Sequence, residues 1–372
     1  MTDPPGTLEK ALEPNLWNVK HERPLPLRDL TPGVVVGYPS DSNKTAFQGV
    51  GSVPGGSAQC NHEDKSVVKN WRLAGRQRTL WQRAKIIQGV RTFFVDHGYL
   101  EVETPHRIPA PAPESHIDAI PAGDGFLHTS PELCMKRMLA AGYGKIFQIC
   151  HCWRSGERGS RHIPEFTLLE WYRSGCDYVA LMAECEAMIQ AAASAVNAGQ
   201  CVSYQGQEID LSSPWKRISV EGAFRSYAPL SMREALKQDL FDEIMVSDIE
   251  PNLGLGKPAF IYDYPAERKA LARLKPEKDL AERFELYMGG LEIANAFSEL
   301  TDADEQRERF RQENEHRRSI GKPAYSLPEK FLREWDDMPP SAGIALGIDR
   351  LVMVLLDASS IDEVVAFTPE EL

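Results

Sequence analysis

The sequence is short of most features that announce a function. No apolar run in its 372 residues is long enough to cross a bilayer as a helix. The opening MTDPPGTLEK has neither the basic start nor the apolar centre of a secretory signal, so a cytoplasmic protein with no membrane partner is the expectation. Positive charge is in deficit. Lys and Arg number 42 against 54 Asp and Glu, a net charge of −12. That argues against broad binding of phosphate backbones and leaves room only for a local basic groove. Cysteine is sparse: seven residues, an odd count without framework spacing, read as reduced thiols. On a strand, Cys150 and Cys152 share one face and His151 takes the other. No second ligand pair follows, so the expectation is packed strand residues rather than a metal site. No GxxxxGK[ST] is present, which excludes a P-loop, and no GxGxxG opens a βα unit. GxSxG and HExxH are also missing.

What is present begins late. Residues 1–68 are rich in Pro and Gly with little periodicity, and read as an extension with at most a short hairpin near Val34–Tyr38. From 69 onward the pattern is dense. Leu80, Ala84, Ile87, Val90 and Phe94 follow helical spacing up to Gly98, and a strand is expected over Tyr99–Glu103. Ser130 can cap a second helix with Pro131 at its first position. Strands are expected at Lys145–Arg154 and Phe166–Arg173, then a helix over 178–196 and a mixed helical region up to 247. Three strands follow at 258–265, 283–290 and 291–300, the last two joined by Gly289-Gly290. A charged helix, Ala303–Ile320, precedes a strand that runs through Gly347 into a final helix. Strand-rich and helix-rich blocks do not alternate as βαβ units, so the fold class is α+β with a mostly antiparallel sheet.

The residues that suggest chemistry are charged ones in unusual places. The turn between the strands at 145 and 166 holds Arg154, Arg158, Arg161 and His162. Arg350 falls in the first turn of the last helix, where a cation opposes the helix dipole; either its charge lies in water, or it holds an anion with the free N–H groups there. Glu285, Glu292 and Glu299 lie seven apart on two paired strands. Asn295 and Phe297 share the parity of Glu299, and Glu292 has the opposite parity unless a bulge intervenes. Glu132 and Glu170 add two carboxylates able to face inward. A solvated sheet face explains each of these singly. Together, the cationic and anionic groups suit a polyphosphate and a cationic small molecule.

The chain from about 69 to 372 resembles the catalytic domain of class II aminoacyl-tRNA synthetases, lysyl branch. GYLEVETP (98–105), FQICHCWRSGERGSRHIPEFTLLEWY (147–172) and GIALGIDRLVM (343–353) are similar to the three class signatures, in order. TSPEL (129–133) and IANAFSEL (293–300) look like lysine-pocket segments of that branch. The resemblance implies a six- to seven-stranded antiparallel sheet flanked by helices, a homodimer joined near Pro105, and use of ATP and Mg²⁺. It makes Arg154 and Arg350 catalytic: Arg154 on the α-phosphate, Arg350 on the adenine opposite a stacking Phe166. Glu157, His162, Glu292, Ile293 and Gly347 complete the ATP site, and Glu285 and Glu292 match metal-binding positions. Glu132 and Glu170 match positions near the α-amino group of lysine, Tyr172 and Glu299 those at its side-chain ammonium. Ser130, Pro131, Asn295, Phe297 and Ala345 line the same pocket.

The chain departs from lysyl synthetases in three ways. Gly156 stands where they usually carry Glu, with Glu157 after it, and Ile163 stands where they carry Asn. Residues 1–68 do not supply an anticodon-binding OB-fold, which needs roughly a hundred residues of alternating strands. Synthetase-like proteins without that domain include the elongation factor P lysine ligases. SPELCMKRMLAAGYGKIFQ, EFTLLEWYR and ANAFSELTDA are similar to that group, as is Ala345 where lysyl synthetases tend to carry Gly. This implies activation of lysine or (R)-β-lysine as an adenylate and transfer to a lysine side chain of elongation factor P, with tRNA disfavoured as partner. A compact lysyl-tRNA synthetase and a small-molecule amidoligase remain open alternatives. So does a non-catalytic synthetase-like binding protein, supported only by Gly156 and Ile163.

Overall fold

The computed structural model describes residues 71–277 and 279–372. The extension expected over 1–68, with its hairpin near Val34–Tyr38, lies outside the described residues. Eight strands form the main sheet: β1 (Leu100–Glu101), β2 (Lys145–Trp153), β3 (Glu165–Ser174), β4 (Lys216–Ser219), β5 (Ala259–Pro265), β6 (Leu280–Met288), β7 (Leu291–Ser298) and β8 (Ser341–Gly347). Their order is β1-β2-β3-β8-β7-β6-β5-β4. The six central strands are antiparallel, as expected. The two further strands are short edge strands, each pairing parallel with its neighbour. The strand expected over Tyr99–Glu103 shrinks to the two residues of β1, and β4 is a strand inside the region expected to be helical.

The central strands alternate cleanly. On β3, Leu169 and Trp171 face one side, while Phe166, Leu168, Glu170 and Tyr172 face the other. Helices α1 (Gln77–Asp96) and α3 (Tyr178–Ser194) cover the first side; α2 (Glu132–Ala140) lies between them in the chain. Their apolar residues join Phe147, Trp171, Ala296, Ile344 and Leu346 in one core. Each fully buried side chain of this kind contributes about 1.5–3 kcal/mol. The helix forms as the spacing predicts: Val90 and Phe94 are buried with Ile86 and Phe93, and Ile87 packs against them, while Ala84, nearer the N-terminus, is exposed. Gly98 ends it at φ 75, and Tyr99 N–H donates back to Phe94 O (3.0 Å).

Helix α4 (Ala303–Ser319) and α5 (Ile348–Leu355) complete the frame. Helix α5 leaves β8 through Gly347 and is tied to β3 by Asp349. Its buried carboxylate accepts from Thr167 N–H (2.7 Å) and pairs with Arg83 of α1 (2.6 Å). Arg83 also donates to Thr167 Oγ1 (2.8 Å). This triangle fixes the start of α5 and of α1 against the beginning of β3. The substitution Asp349→Ala leaves Arg83 unpaired and one strand N–H unmet. Because Arg83 keeps some access to water, the expected cost is about 2–3 kcal/mol, read as a lowered urea midpoint.

Candidate active site

Strand register builds the site. Across β2, β3, β8, β7 and β6, the residues Gln148, Glu170, Ala345, Asn295 and Glu285 stand opposite one another in turn. The next row is Ile146, Tyr172, Gly343, Phe297 and Arg283. Both rows face away from the helical core. The parity question at Glu292 is answered by a bulge. Leu286 pairs with Ala294 but Tyr287 with Glu292, so Ile293 is an extra residue on β7. That extra residue brings Glu292 to the same side as Asn295 and Phe297.

A cavity of about 330 Å³ opens on this face. Its wall takes in Ser130, Glu132, Arg154, Glu157, His162 and Phe166, then Glu170, Tyr172, Glu292, Ile293 and Asn295, then Phe297, Glu299, Ala345, Gly347 and Arg350. Two residues that the resemblance assigns to the site are not on the wall. Pro131 sits at the N-cap of α2 rather than in its first turn, because the helix starts one residue later, at Glu132. Glu285 lies on the next strand, ion-paired with Arg283 (2.6 Å) and accepting from Tyr287 OH (2.8 Å).

One end of the cavity is acidic. Glu170 is buried, and its carboxylate accepts from Ser130 Oγ (2.5 Å) and Tyr172 OH (2.8 Å). Ser130 thus serves two partners, since its oxygen also accepts from Glu132 N–H (3.0 Å). Burial, and then the charge of Glu132, push Glu170 up to about 8. Glu299 is fully buried beside it, and burial pushes it up to about 8 although Lys136 opposes the shift. Lys136, missed in the sequence, is itself fully buried. Its ammonium pairs with Glu132 and with Glu299 (2.5 Å) and lies 4.9 Å from the Phe297 ring. It is legible only as a helical i,i+4 partner of Glu132; that it reaches Glu299 is a tertiary fact. Glu114 on the wall was also missed. It is half-buried, and withdrawal from water together with Glu132 raises it to about 7.

The other end is cationic. Arg154 leaves β2 with its guanidinium 5.0 Å from the Phe166 ring. Its buried Nε has no hydrogen-bond partner among the described residues, an unmet donor that an anionic oxygen would satisfy. Glu157 comes only to 4.0 Å. Arg350 donates to the carbonyl (3.0 Å) and carboxylate (3.2 Å) of Glu292 and to His162. Burial, and then Arg350, hold His162 below its usual value, so the ring accepts that bond as a neutral imidazole. Arg158 turns outward to Asp362 (2.9 Å) and Glu370 (2.8 Å), holding the loop shut from behind. Glu292 is raised by its burial and then by the like charge of Glu285. Two neighbouring carboxylates with hard oxygen donors fit a magnesium ion.

The two departures in the loop have structural reasons. Gly156 adopts φ 77, a left-handed turn that disfavours a Glu side chain there. Ile163 is buried in the main core, so it anchors the loop by packing.

A pocket with carboxylates at one end and guanidinium groups at the other, on a mostly antiparallel sheet, suits an adenylate-forming synthetase scaffold. Residues 63–371 match the family of class II tRNA synthetases (D, K and N), and the chain belongs to that family. It is 40% identical over 323 residues to the elongation factor P–(R)-β-lysine ligase of Pectobacterium atrosepticum, covering 82% of this chain and 99% of that protein. The ligase of the same name from Erwinia tasmaniensis is 41% identical over 321 residues (82% and 98%). That from Proteus mirabilis is 38% identical over 320 (81% and 98%). The chain is an ATP-dependent ligase of the synthetase type. No helix among the described residues is long and apolar enough to cross a membrane.

Two outcomes follow from the acidic end. In the free protein Glu170 holds its proton between its ordinary value and about 8. An ammonium ligand favours the ionised form, so binding at pH 7 expels about one proton from this group. Calorimetry in buffers of different ionisation enthalpy measures it; the release fades above pH 9 and is smaller by about one proton in Glu170→Gln. Separately, a Cβ at Gly343 would strike the Tyr172 ring and come within 2.6 Å of Glu299 Oε1. Gly343→Ala is expected to raise the amino-acid KM about tenfold or more with little change in that for ATP, by steady-state kinetics.

Proposed function

We propose that this enzyme activates lysine or (R)-β-lysine with ATP and transfers it to a lysine side chain of elongation factor P. The observation that carries the reading is the polarity of one cavity, acidic where two ammonium groups would lie and cationic where phosphates would lie. The name shared by the relatives supplies the acceptor and favours the β-amino acid.

In the first step a carboxylate oxygen of the amino acid attacks the α-phosphorus. The bond to the bridging oxygen breaks, and pyrophosphate leaves. Arg154, with its unmet Nε, takes the charge that develops on the α-phosphoryl oxygens. Arg350, oriented by Glu292 and His162, closes the nucleotide end, and Phe166 offers a face for the adenine. Glu157, Ile293 and Gly347 complete that end. Glu285 and Glu292 would hold Mg²⁺, which supplies neutralisation of phosphate charge when bound. Glu132 and Glu170 orient the amino group near the carboxylate. Tyr172 and Glu299 orient the distal ammonium, and Ser130, Pro131, Asn295, Phe297 and Ala345 shape the space around the chain. Little covalent work falls to the protein; position decides the rate. In the second step the acceptor amine attacks the carbonyl carbon and AMP leaves with the oxygen. That amine has an ordinary pKa of about 10.4 and loses a proton first. A homodimer formed near Pro105 belongs to the same reading; Val95 and Leu100 leave exposed apolar surface beside it.

ATP–pyrophosphate exchange tests the first step. Exchange is expected with (R)-β-lysine, and more weakly with α-lysine; none with either overturns the reading. Arg350→Ala is expected to lower exchange by about 10²–10³-fold at an unchanged melting temperature. Mass analysis of elongation factor P, with tRNA charging alongside, then identifies the acceptor.

A further inference from the structure

One cluster on the site face of the sheet takes part in none of these steps. Cys150 and Cys152 alternate onto that face of β2, opposite Leu168 and Phe166, while His151 points to solvent. Along the chain no second ligand pair follows them, and the sequence therefore spoke for simple packing. The fold brings the third donor from elsewhere. His128 lies beside the end of β2, where Trp153 N–H donates to its carbonyl oxygen (3.1 Å). Its Nε2 is 3.9 Å from Cys152 Sγ, and Cys152 Sγ is 3.9 Å from Cys150 Sγ. One donor atom from each of the three residues lies within 4.8 Å of the others. Both thiols are free, and the three residues are buried, at 1%, 6% and 0% exposure for His128, Cys150 and Cys152.

These separations are close to the edges of a tetrahedral site. Metal–sulfur bonds of about 2.3 Å and metal–nitrogen bonds of about 2.0–2.1 Å give a sulfur–sulfur edge of about 3.8 Å and a sulfur–nitrogen edge of about 3.6 Å. Two of the three edges are met within a few tenths of an ångström, and a small swing of the imidazole toward Cys150 closes the third. We propose that Cys150, Cys152 and His128 form a binding site for a soft, thiolate-preferring divalent cation, for which Zn²⁺ is the probe.

The balance is simple. Each thiol gives up a proton, and two thiolates bind a dication, so the buried site carries no net charge. His128 Nε2 lies 2.7 Å from His151 O and can donate to it without metal. Ligation moves the ring proton to Nδ1 and replaces that bond. Three protein ligands leave the fourth position to water. Sulfur and imidazole donors separate this site from the carboxylates suited to Mg²⁺. Cys150 and Cys152 pack with Leu168, Phe166 and Ala345, which line the cavity, so occupancy is felt at its floor.

The test uses the reduced full-length protein. Wild type dialysed against Zn²⁺ is expected to retain one equivalent in a large excess of Mg²⁺, by elemental analysis. Its Co²⁺ form is expected to show tetrahedral d–d bands with thiolate charge transfer. Alkylation followed by peptide mapping should find Cys150 and Cys152 protected by Zn²⁺ and the exposed Cys201 unprotected. Cys150→Ala and Cys152→Ala, each checked for an unchanged melting profile, should lose the equivalent. Retention of no Zn²⁺ by folded wild type overturns the proposal, as does retention by both variants or protection that spares this pair. If either variant fails to fold, the protection map on wild type decides alone.

Discussion

The antiparallel register of β3, β8 and β7 is the constraint on which the site depends. Side chains alternate with a period of two, so a slip of one residue would send Glu170, Ala345 and Asn295 into the helical core. The apolar parity set, Leu169, Trp171, Ile344, Leu346 and Ala296, forbids that slip, because it is buried under α1 and α3. The same burial that stabilises the sheet therefore aims the polar set into the cavity. One exception is written into β7. The extra residue at Ile293 lets Glu292 turn toward Arg350 at the cationic end while Asn295 and Phe297 keep their places.

Electrostatics then divide the cavity. Burial and the charge of Glu132 raise both Glu170 and Glu299, and Lys136 is the protein's own partial answer. A ligand with two ammonium groups would complete the neutralisation. At the opposite end Arg154 holds an unmet donor, while Arg350 is braced by Glu292 and His162. Each end carries charge that a ligand of opposite sign would complete. A site of this kind is organised before substrate arrives, which is where synthetase-type chemistry gains its rate.

The loop between β2 and β3 shows how a polar signature can be rebuilt. Gly156 provides a turn in left-handed backbone, Glu157 faces the cavity beside Arg154, and Ile163 fastens the loop into the core. Arg158 ties its outer side to Asp362 and Glu370. Of the four basic residues that made the loop conspicuous, Arg158 is spent on holding it in place and the other three reach the cavity.

By itself the sequence determined the central strands and the main helices, and sixteen of the eighteen residues it assigned to the site line the cavity. Those are local properties: alternation, helical spacing, and motif segments whose order survives in one dimension. It missed the exposure of Ala84 on α1 and the strand β4, since how far a helix is covered, and which short segment finds an edge, depends on neighbours far along the chain. It could state the parity of Glu292 only conditionally, because a bulge is a property of two paired strands. It passed over Lys136 and Glu114 and set His128 apart from Cys150 and Cys152. Their meaning lies in contacts across long loops: a lysine sealed between two glutamates, a carboxyl raised by a neighbour, a histidine brought to a pair of thiols. Only the tertiary structure decided these, because burial and proximity, which set charge state and ligand geometry, do not exist until the chain has folded.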